Sequence, residues 1–408
     1  MLSAIPLVVL FATAFLLSRA YVATDAGERL LDSVERLTGR RCRGLLLGQL
    51  GLSAALSAIL PNAVTALALT PMIPVLVDRF RYPDDRVRLR VTTGFAAATM
   101  WGANIGGMGS IVGSPANALL LVYLRATEIA GAERLNFLTW AMFGIPTVLL
   151  LCTVTFLLLR IVLHSDLAAA VRIEGAREPL PVHRSQAQRR VFVLTAAFLA
   201  FWTASTGLAM GLKMHDAYHA AASLAFAAWF CHALMIRREN GEPLLPLRSA
   251  AGRLPWRGLA FIALAITVSL GATRVLGLDR AVGHIVGLAE AHGLTSWEIM
   301  LVLILAVGLL TEVMSNTVVA LVFFPVVHGA ASALEIEPVA ALVGVSLMST
   351  VPFMSPTGAP SNAVVLGETR GVDYLLIVRL GLGLALLTAF ALTMASLHVF
   401  PRVLGLAG

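Results

Sequence analysis

The sequence predicts an all-α polytopic membrane protein made of two inverted-topology repeats, each with a re-entrant hairpin and a broken transmembrane helix. Three observations carry that expectation. Of 408 residues, 58% are hydrophobic and 13% charged, against roughly 25% charged in ordinary soluble domains. Apolar runs such as Phe143–Leu159 and Leu375–Val399 approach or exceed the ~20 residues that one helical crossing needs. Small polar breaks interrupt other apolar runs in the same order in both halves. At mid-depth such a break survives only inside protein or against a water-filled cavity.

The elements follow in order. Ile5–Leu17 is a short apolar helix; lacking a basic flank and a clear cleavage signal, it does not read as a signal peptide. In Ala26–Arg41, Leu30, Leu31, Val34 and Leu37 share a face opposite Glu28, Asp32, Glu35 and Arg36. A helix lying in the interface and an ordinary connecting helix both fit. Gly44–Leu60 and Ala63–Val77 are two apolar runs meeting at Pro61–Asn62, and Arg79–Arg90 is a basic loop. Val91–Leu124 is broken by GANIGGMGSIVGSPANA, Leu138–Leu163 crosses, and His164–Arg190, with Pro179 and Pro181, links the halves. Val191–Gly207 and Tyr218–Ile236 cross, and Arg237–Arg257 is a second basic loop. Gly258–Val275 crosses and Asp279–Gly293 is weakly amphipathic. Glu298–Val313 and Val318–Val327 flank the triplet Ser315–Asn316–Thr317. Pro338–Leu366 is broken at SPTGAPSN, and Tyr374–Val399 is the last helix. The expected organisation is a first repeat over 1–163 (hairpin 44–77, broken helix 91–124), linkers and two connecting helices over 164–257, and a second repeat over 258–408 (hairpin 298–327, broken helix 338–366).

The repeat is visible residue by residue. One offset sets Asn62 on Asn316, Asp25 on Asp279 and Pro71 on Pro325. After a short gap, Gly113, Pro115, Asn117 and Ala118 fall on Gly358, Pro360, Asn362 and Ala363. Charge gives the orientation. The arginine-rich connectors Arg19–Arg43, Arg79–Arg90, His164–Arg190 and Arg237–Arg257 belong in the cytoplasm. Gly44–Val77 then enters and leaves by the cytoplasmic face, and Glu298–Val327 by the opposite one. The result is eight crossings plus two hairpins pointing at each other, with both termini outside. The net charge of +7 is loop charge of this kind rather than a nucleic-acid surface. Cys42, Cys152 and Cys231 lie far apart and form neither a disulfide framework nor a zinc motif.

Four breaks converge near mid-membrane: Pro61–Asn62–Ala63, Gly113–Ser114–Pro115, Ser315–Asn316–Thr317 and Gly358–Ala359–Pro360. A helix N-terminus offers unpaired N–H groups and a partial positive end to an anion. The end of the preceding helix offers carbonyls to Na⁺, an arrangement found with internal repeats in secondary transporters. Such a site can hold an anion and cations together without membrane-buried Lys or Arg.

The motifs TEVMSNTVV, IGGMGSIVGSPANA and SPTGAPSNAVVLG, with the repeat plan, resemble those of the divalent anion:sodium symporter family of the ion-transporter superfamily. The resemblance covers essentially the whole chain. It implies an elevator-type symporter that moves both hairpins and both broken helices against a static scaffold, in a bacterial-type cytoplasmic membrane. It implies one Na⁺ site at Ser57, Asn62 and Gly113 and another at Thr311, Asn316 and Gly358. It implies contact of a small anionic substrate with Asn62, Ser114, Ser315, Asn316, Thr317 and Pro360. The family's first SNT is here Pro61–Asn62–Ala63, and Ala359 stands where a threonine is usual; both changes bear on the four-carbon dicarboxylate substrate. The family's leading scaffold helices are missing before the first repeat, which bears on the homodimer the resemblance implies.

The function expected is Na⁺-coupled symport of a small divalent anion, a dicarboxylate or sulfate. The alternative is a proton-coupled or exchange anion transporter, or an ion antiporter, on the same scaffold. No HExxH, GxSxG or paired Asp motif supports a membrane-embedded enzyme. Glu312, inside an apolar hairpin, is either a structural hydrogen-bond acceptor or a coupling group. His215, Asp216 and His219 read as an interfacial cap rather than a proton relay, Arg160 as a snorkelling cation, and Trp101 and Trp202 as packing or interface residues.

Overall fold

The computed structural model describes residues 5–24, 26, 37–39, 41–173, 182–211, 216–236, 238–239, 242–246, 287 and 292–406. Gly258–Val275 and most of Ala26–Arg41 and Asp279–Gly293 lie outside the described residues. The described chain is helical apart from two short two-stranded ribbons.

The first half opens with α1 (Ile5–Thr24). The first hairpin consists of α2 (Cys42–Ser57), α3 (Asn62–Leu69) and α4 (Met72–Val77). Its second arm is not the single run expected. Pro71 has no N–H to continue the helix, so the arm bends between α3 and α4. The first broken helix is α5 (Asp85–Gly106), a tight turn over Gly107–Gly109, and α6 (Pro115–Ala126). Helix α5 begins six residues before the expected Val91. The Asp84 carboxylate accepts from Val87 N at 2.8 Å and caps the helix, so Arg86, Arg88 and Arg90 are helical rather than loop residues.

Helix α7 (Phe137–Val162) is capped by Asn136 Oδ1, which accepts from Leu138 N (3.0 Å) and Thr139 N (3.1 Å). Within the stretch expected as a linker, His164–Arg190, the described residues form regular elements. It holds α8 (His164–Ala169) and β2 (Val171–Arg172), which pairs antiparallel with β1 (Phe80–Arg81). It also holds the start of α9 (Val182–Gly211), immediately after Pro181. Helix α10 (Asp216–Cys231) follows.

The second half repeats the order. The second hairpin is α11 (Ser296–Leu310) and α12 (Asn316–Ala333). The second broken helix is α13 (Pro338–Ser349) and α14 (Pro360–Glu368), and α15 (Tyr374–Met394) follows. Among the described residues, Phe137–Val162 and Tyr374–Val403 are long and apolar enough to cross a bilayer alone. Both present apolar side chains outward, Leu149 at 63% and Phe390 at 52% exposure among them.

The halves interlock. Helix α3 of the first hairpin packs on α14 of the second broken helix, and α12 of the second hairpin packs on α6 of the first. Within the first half α2 lies along α5 at very short range. A Cβ on Gly102 would stand 2.8 Å from Leu50 O, and one on Gly106 would run into the Ala54 backbone. Small residues permit this approach, and Gln49 Nε2 donating to Thr99 Oγ1 (2.8 Å) and Ser53 Oγ donating to Thr99 O (2.7 Å) fix it. Helix α1 packs on α9 and α10 to one side.

Candidate functional site

At the first hairpin tip, α2 ends on Ser57 and α3 starts on Asn62, four residues of turn apart. The inward atom of the Asn62 amide is 2.8 Å from Ser57 Oγ, 2.8 Å from Gly113 O and 3.2 Å from Ala103 O. If that atom is the amide nitrogen, it donates to these oxygens. Backbone crowding makes the cluster this tight. A Cβ on Gly113 would lie 2.5 Å from Gly107 O, and one on Gly107 would overlap the Asn62 amide.

The two breaks are built alike. Asn117 Nδ2 donates to Gly107 O and Ser110 O, both at 2.9 Å. Asn362 Nδ2 donates to Pro352 O (3.1 Å) and Ser355 O (2.8 Å). In each case the acceptors lie ten and seven residues before the asparagine. These side chains satisfy carbonyls that unwinding leaves unpaired. Each asparagine is also held by the other half. Asn117 Oδ1 accepts from Ser346 Oγ (3.1 Å), and Asn362 Oδ1 accepts from Asn104 Nδ2 (2.8 Å). Asn104 Nδ2 reaches Pro352 O (2.8 Å), Ser361 Oγ donates to Asn104 Oδ1 (2.6 Å), and Trp101 Nε1 donates to Phe353 O (2.8 Å).

At the second tip, Thr311 Oγ1 donates to Gly308 O at 2.9 Å. A Cβ on Gly358 would meet Thr311 O at 2.6 Å, so hairpin and break touch through backbone. The Glu312 carboxylate accepts from Phe353 N (2.6 Å), Ser355 N (2.7 Å) and Met354 N (3.1 Å), and Thr357 Oγ1 donates to Glu312 O (3.1 Å). The structure shows the hydrogen-bonding role that the sequence left open for Glu312. Asn316 Oδ1 is buried and has no hydrogen-bond partner. An orphan acceptor of this kind costs on the order of 1–3 kcal/mol unless a ligand satisfies it.

The expected residues are therefore placed as follows. Ser57, Asn62 and Gly113 come together, and Thr311 abuts Gly358, with Asn316 at the start of the helix that follows Thr311. Ser114 precedes α6, its Oγ accepting from Ala116 N at 3.4 Å, and Pro360 opens α14, which packs on α3. Ser315 is exposed and Thr317 half-buried at the head of α12. Asn104, Asn117 and Asn362 frame the site without having been singled out from sequence as site residues. The signal available was the repeated Pro-x-Asn-Ala after both breaks. Arg160 is exposed, Trp101 and Trp202 are buried, and His215 lies outside the described residues.

Residues 3–295 match the family model described as citrate transporter. The sodium-dependent high-affinity dicarboxylate transporter 3 of Caenorhabditis elegans is 26% identical over 390 residues, covering 88% of this chain and 68% of that protein. The sodium-dependent dicarboxylate transporter SdcS of Staphylococcus saprophyticus is 22% identical over 409 residues, covering 97% and 76%. The crystal structure of the YdaH transporter of Alcanivorax borkumensis superposes with a TM-score of 0.58 at 15% identity, over 96% of this chain and 85% of that one. At that identity the likeness speaks for the fold alone.

Proposed function

The chain belongs to the citrate transporter family, and from that premise we propose that this integral membrane secondary transporter couples a small divalent anion, a dicarboxylate or sulfate, to a Na⁺ gradient. Its setting in this reading is a bacterial-type cytoplasmic membrane. The observation that carries the reading is the pair of asparagines at the hairpin tips. The inward atom of Asn62 sits among three oxygens, and Asn316 Oδ1 is buried without a donor. In this reading Ser57, Asn62 and Gly113 hold one Na⁺, and Thr311, Asn316 and Gly358 hold the other. Both ions are cargo, released with the substrate. The anion meets the helix N-termini at Asn62, Pro115, Asn316 and Pro360, where partial positive charge and free N–H groups favour it. Asn62, Ser114, Ser315, Asn316, Thr317 and Pro360 supply the contacts.

The two halves act as inverted repeats, 1–163 and 258–408, and their hairpins and broken helices travel together as an elevator. The hydrogen bonds from Asn104, Trp101 and Ser346 into the opposite half support movement as one body. Purified protein in liposomes is expected to accumulate labelled succinate, citrate or sulfate when Na⁺ is high outside, and to stop when Na⁺ is replaced by K⁺. Uptake driven by a pH gradient without Na⁺ would replace this reading by a proton-coupled one.

A further inference from the structure

On the face that carries the arginine-rich connectors, α2, α7 and α8 enclose a cavity of about 500 Å³. Its wall includes Arg41, Arg43, Arg160, His164 and Arg172, and no carboxylate among the described residues. The nearby acid is already engaged, since Asp166 Oδ2 accepts from Arg90 Nε at 2.8 Å. The side chains of Arg41, Arg43 and Arg160 have no ion-pair partner among the described residues. Gathered like charges repel unless an anion joins them. The first turn of the 16-residue α2 opens into the same space without a side-chain cap, adding unpaired N–H groups and the positive end of its dipole. Beside the cavity the surface turns apolar. Leu47, one turn beyond Arg43, is 41% exposed, and Leu157 and Ile161, flanking Arg160, are 45% and 73% exposed.

A basic pocket whose rim continues into exposed aliphatic side chains matches one chemistry, a phosphate with hydrocarbon attached. We propose that this cavity binds the phosphate headgroup of an anionic phospholipid, with its acyl chains lying along Leu47, Leu157 and Ile161. Basic pockets between membrane helices bind such headgroups by charge and by the planar guanidinium fork. The proposal rests on membrane embedding and is independent of which anion is transported.

Native mass spectrometry of the full-length protein, titrated with phosphatidylglycerol or phosphatidylcholine, tests it. Phosphatidylglycerol is expected to bind in preference. Arg43→Ala combined with Arg160→Ala is expected to weaken it by about tenfold or more. Arg379→Ala, which removes an exposed charge on α15, is expected to leave binding unchanged. Should the alanine pair not fold, Arg43→Gln with Arg160→Gln removes the same charge and carries the same expectation. Equal binding of the two lipids, or equal loss in the Arg379 variant, overturns the proposal. So does binding of inorganic phosphate to the cavity when phosphatidylglycerol fails to bind, which would reassign it to a free anion.

Discussion

A carboxylate inside an apolar hairpin is costly to bury, and Glu312 is tolerated because three backbone N–H groups of the unwound Phe353–Ser355 segment need an acceptor. Glu312→Gln turns an amide NH₂ toward those donors. It is expected to cost about 1–3 kcal/mol and to lower the melting temperature in detergent along with transport. An unchanged melting temperature would remove the framing role. The tip asparagines are expected to behave differently. Asn316→Ala should abolish Na⁺-dependent uptake with a melting temperature near wild type, since Asn316 Oδ1 supports no internal bond; Asn62→Ala should abolish it too but melt lower, since the Asn62 amide is bonded to Ser57. Normal transport by both variants would show that the oxygens at the tips do not bind the coupling ions. Both asparagines were legible in the sequence because each interrupts an apolar run. Asn104 was not. Its partners Pro352 and Asn362 lie 248 and 258 residues away, and no local pattern encodes a contact across that span.

Helices were legible where polar breaks divide apolar runs, as at Pro61–Asn62 and Ser315–Asn316, which start new helices. Their bounds depend on signals that apolar periodicity does not carry. Asp84 starts α5 early by capping it, and Pro71 splits the second arm of the first hairpin. The α2–α5 contact depends on something subtler, the absence of a single methyl group. Gly106→Ala places a Cβ against the Ala54 backbone, which cannot retract as a flexible side chain would. Overpacking of this kind costs about 1–3 kcal/mol. Because α5 ends at Gly106, just before the break that carries Gly113, the displacement also reaches the Asn62 cluster. The variant is expected to melt lower in detergent and to show weaker Na⁺ dependence of uptake. A melting temperature equal to wild type would mean the helices can separate without consequence.

For the whole molecule, the proposed elevator requires the hairpins and broken helices to slide against helices that stay in place, α7 among them. In that proposal the moving body is braced across its own midline by Trp101–Phe353, Asn104–Asn362 and Ser346–Asn117, contacts that need not break. Its contacts with α7 are of another kind and must be exchanged. Trp140 Nε1 donates to Met108 O at 2.8 Å, and a Cβ on Gly109 would lie 3.5 Å from a Val148 methyl. A thiol at position 148 in place of that methyl would face one at position 109, the approach a disulfide needs. With the three free cysteines, Cys42, Cys152 and Cys231, replaced by serine, Gly109→Cys paired with Val148→Cys should oxidise readily in liposomes. The crosslinked protein is expected to bind Na⁺ yet transport nothing, and a reductant to restore uptake. Full-rate transport by the crosslinked protein would show that α7 and the first break travel together, and would exclude an elevator with α7 in its static part.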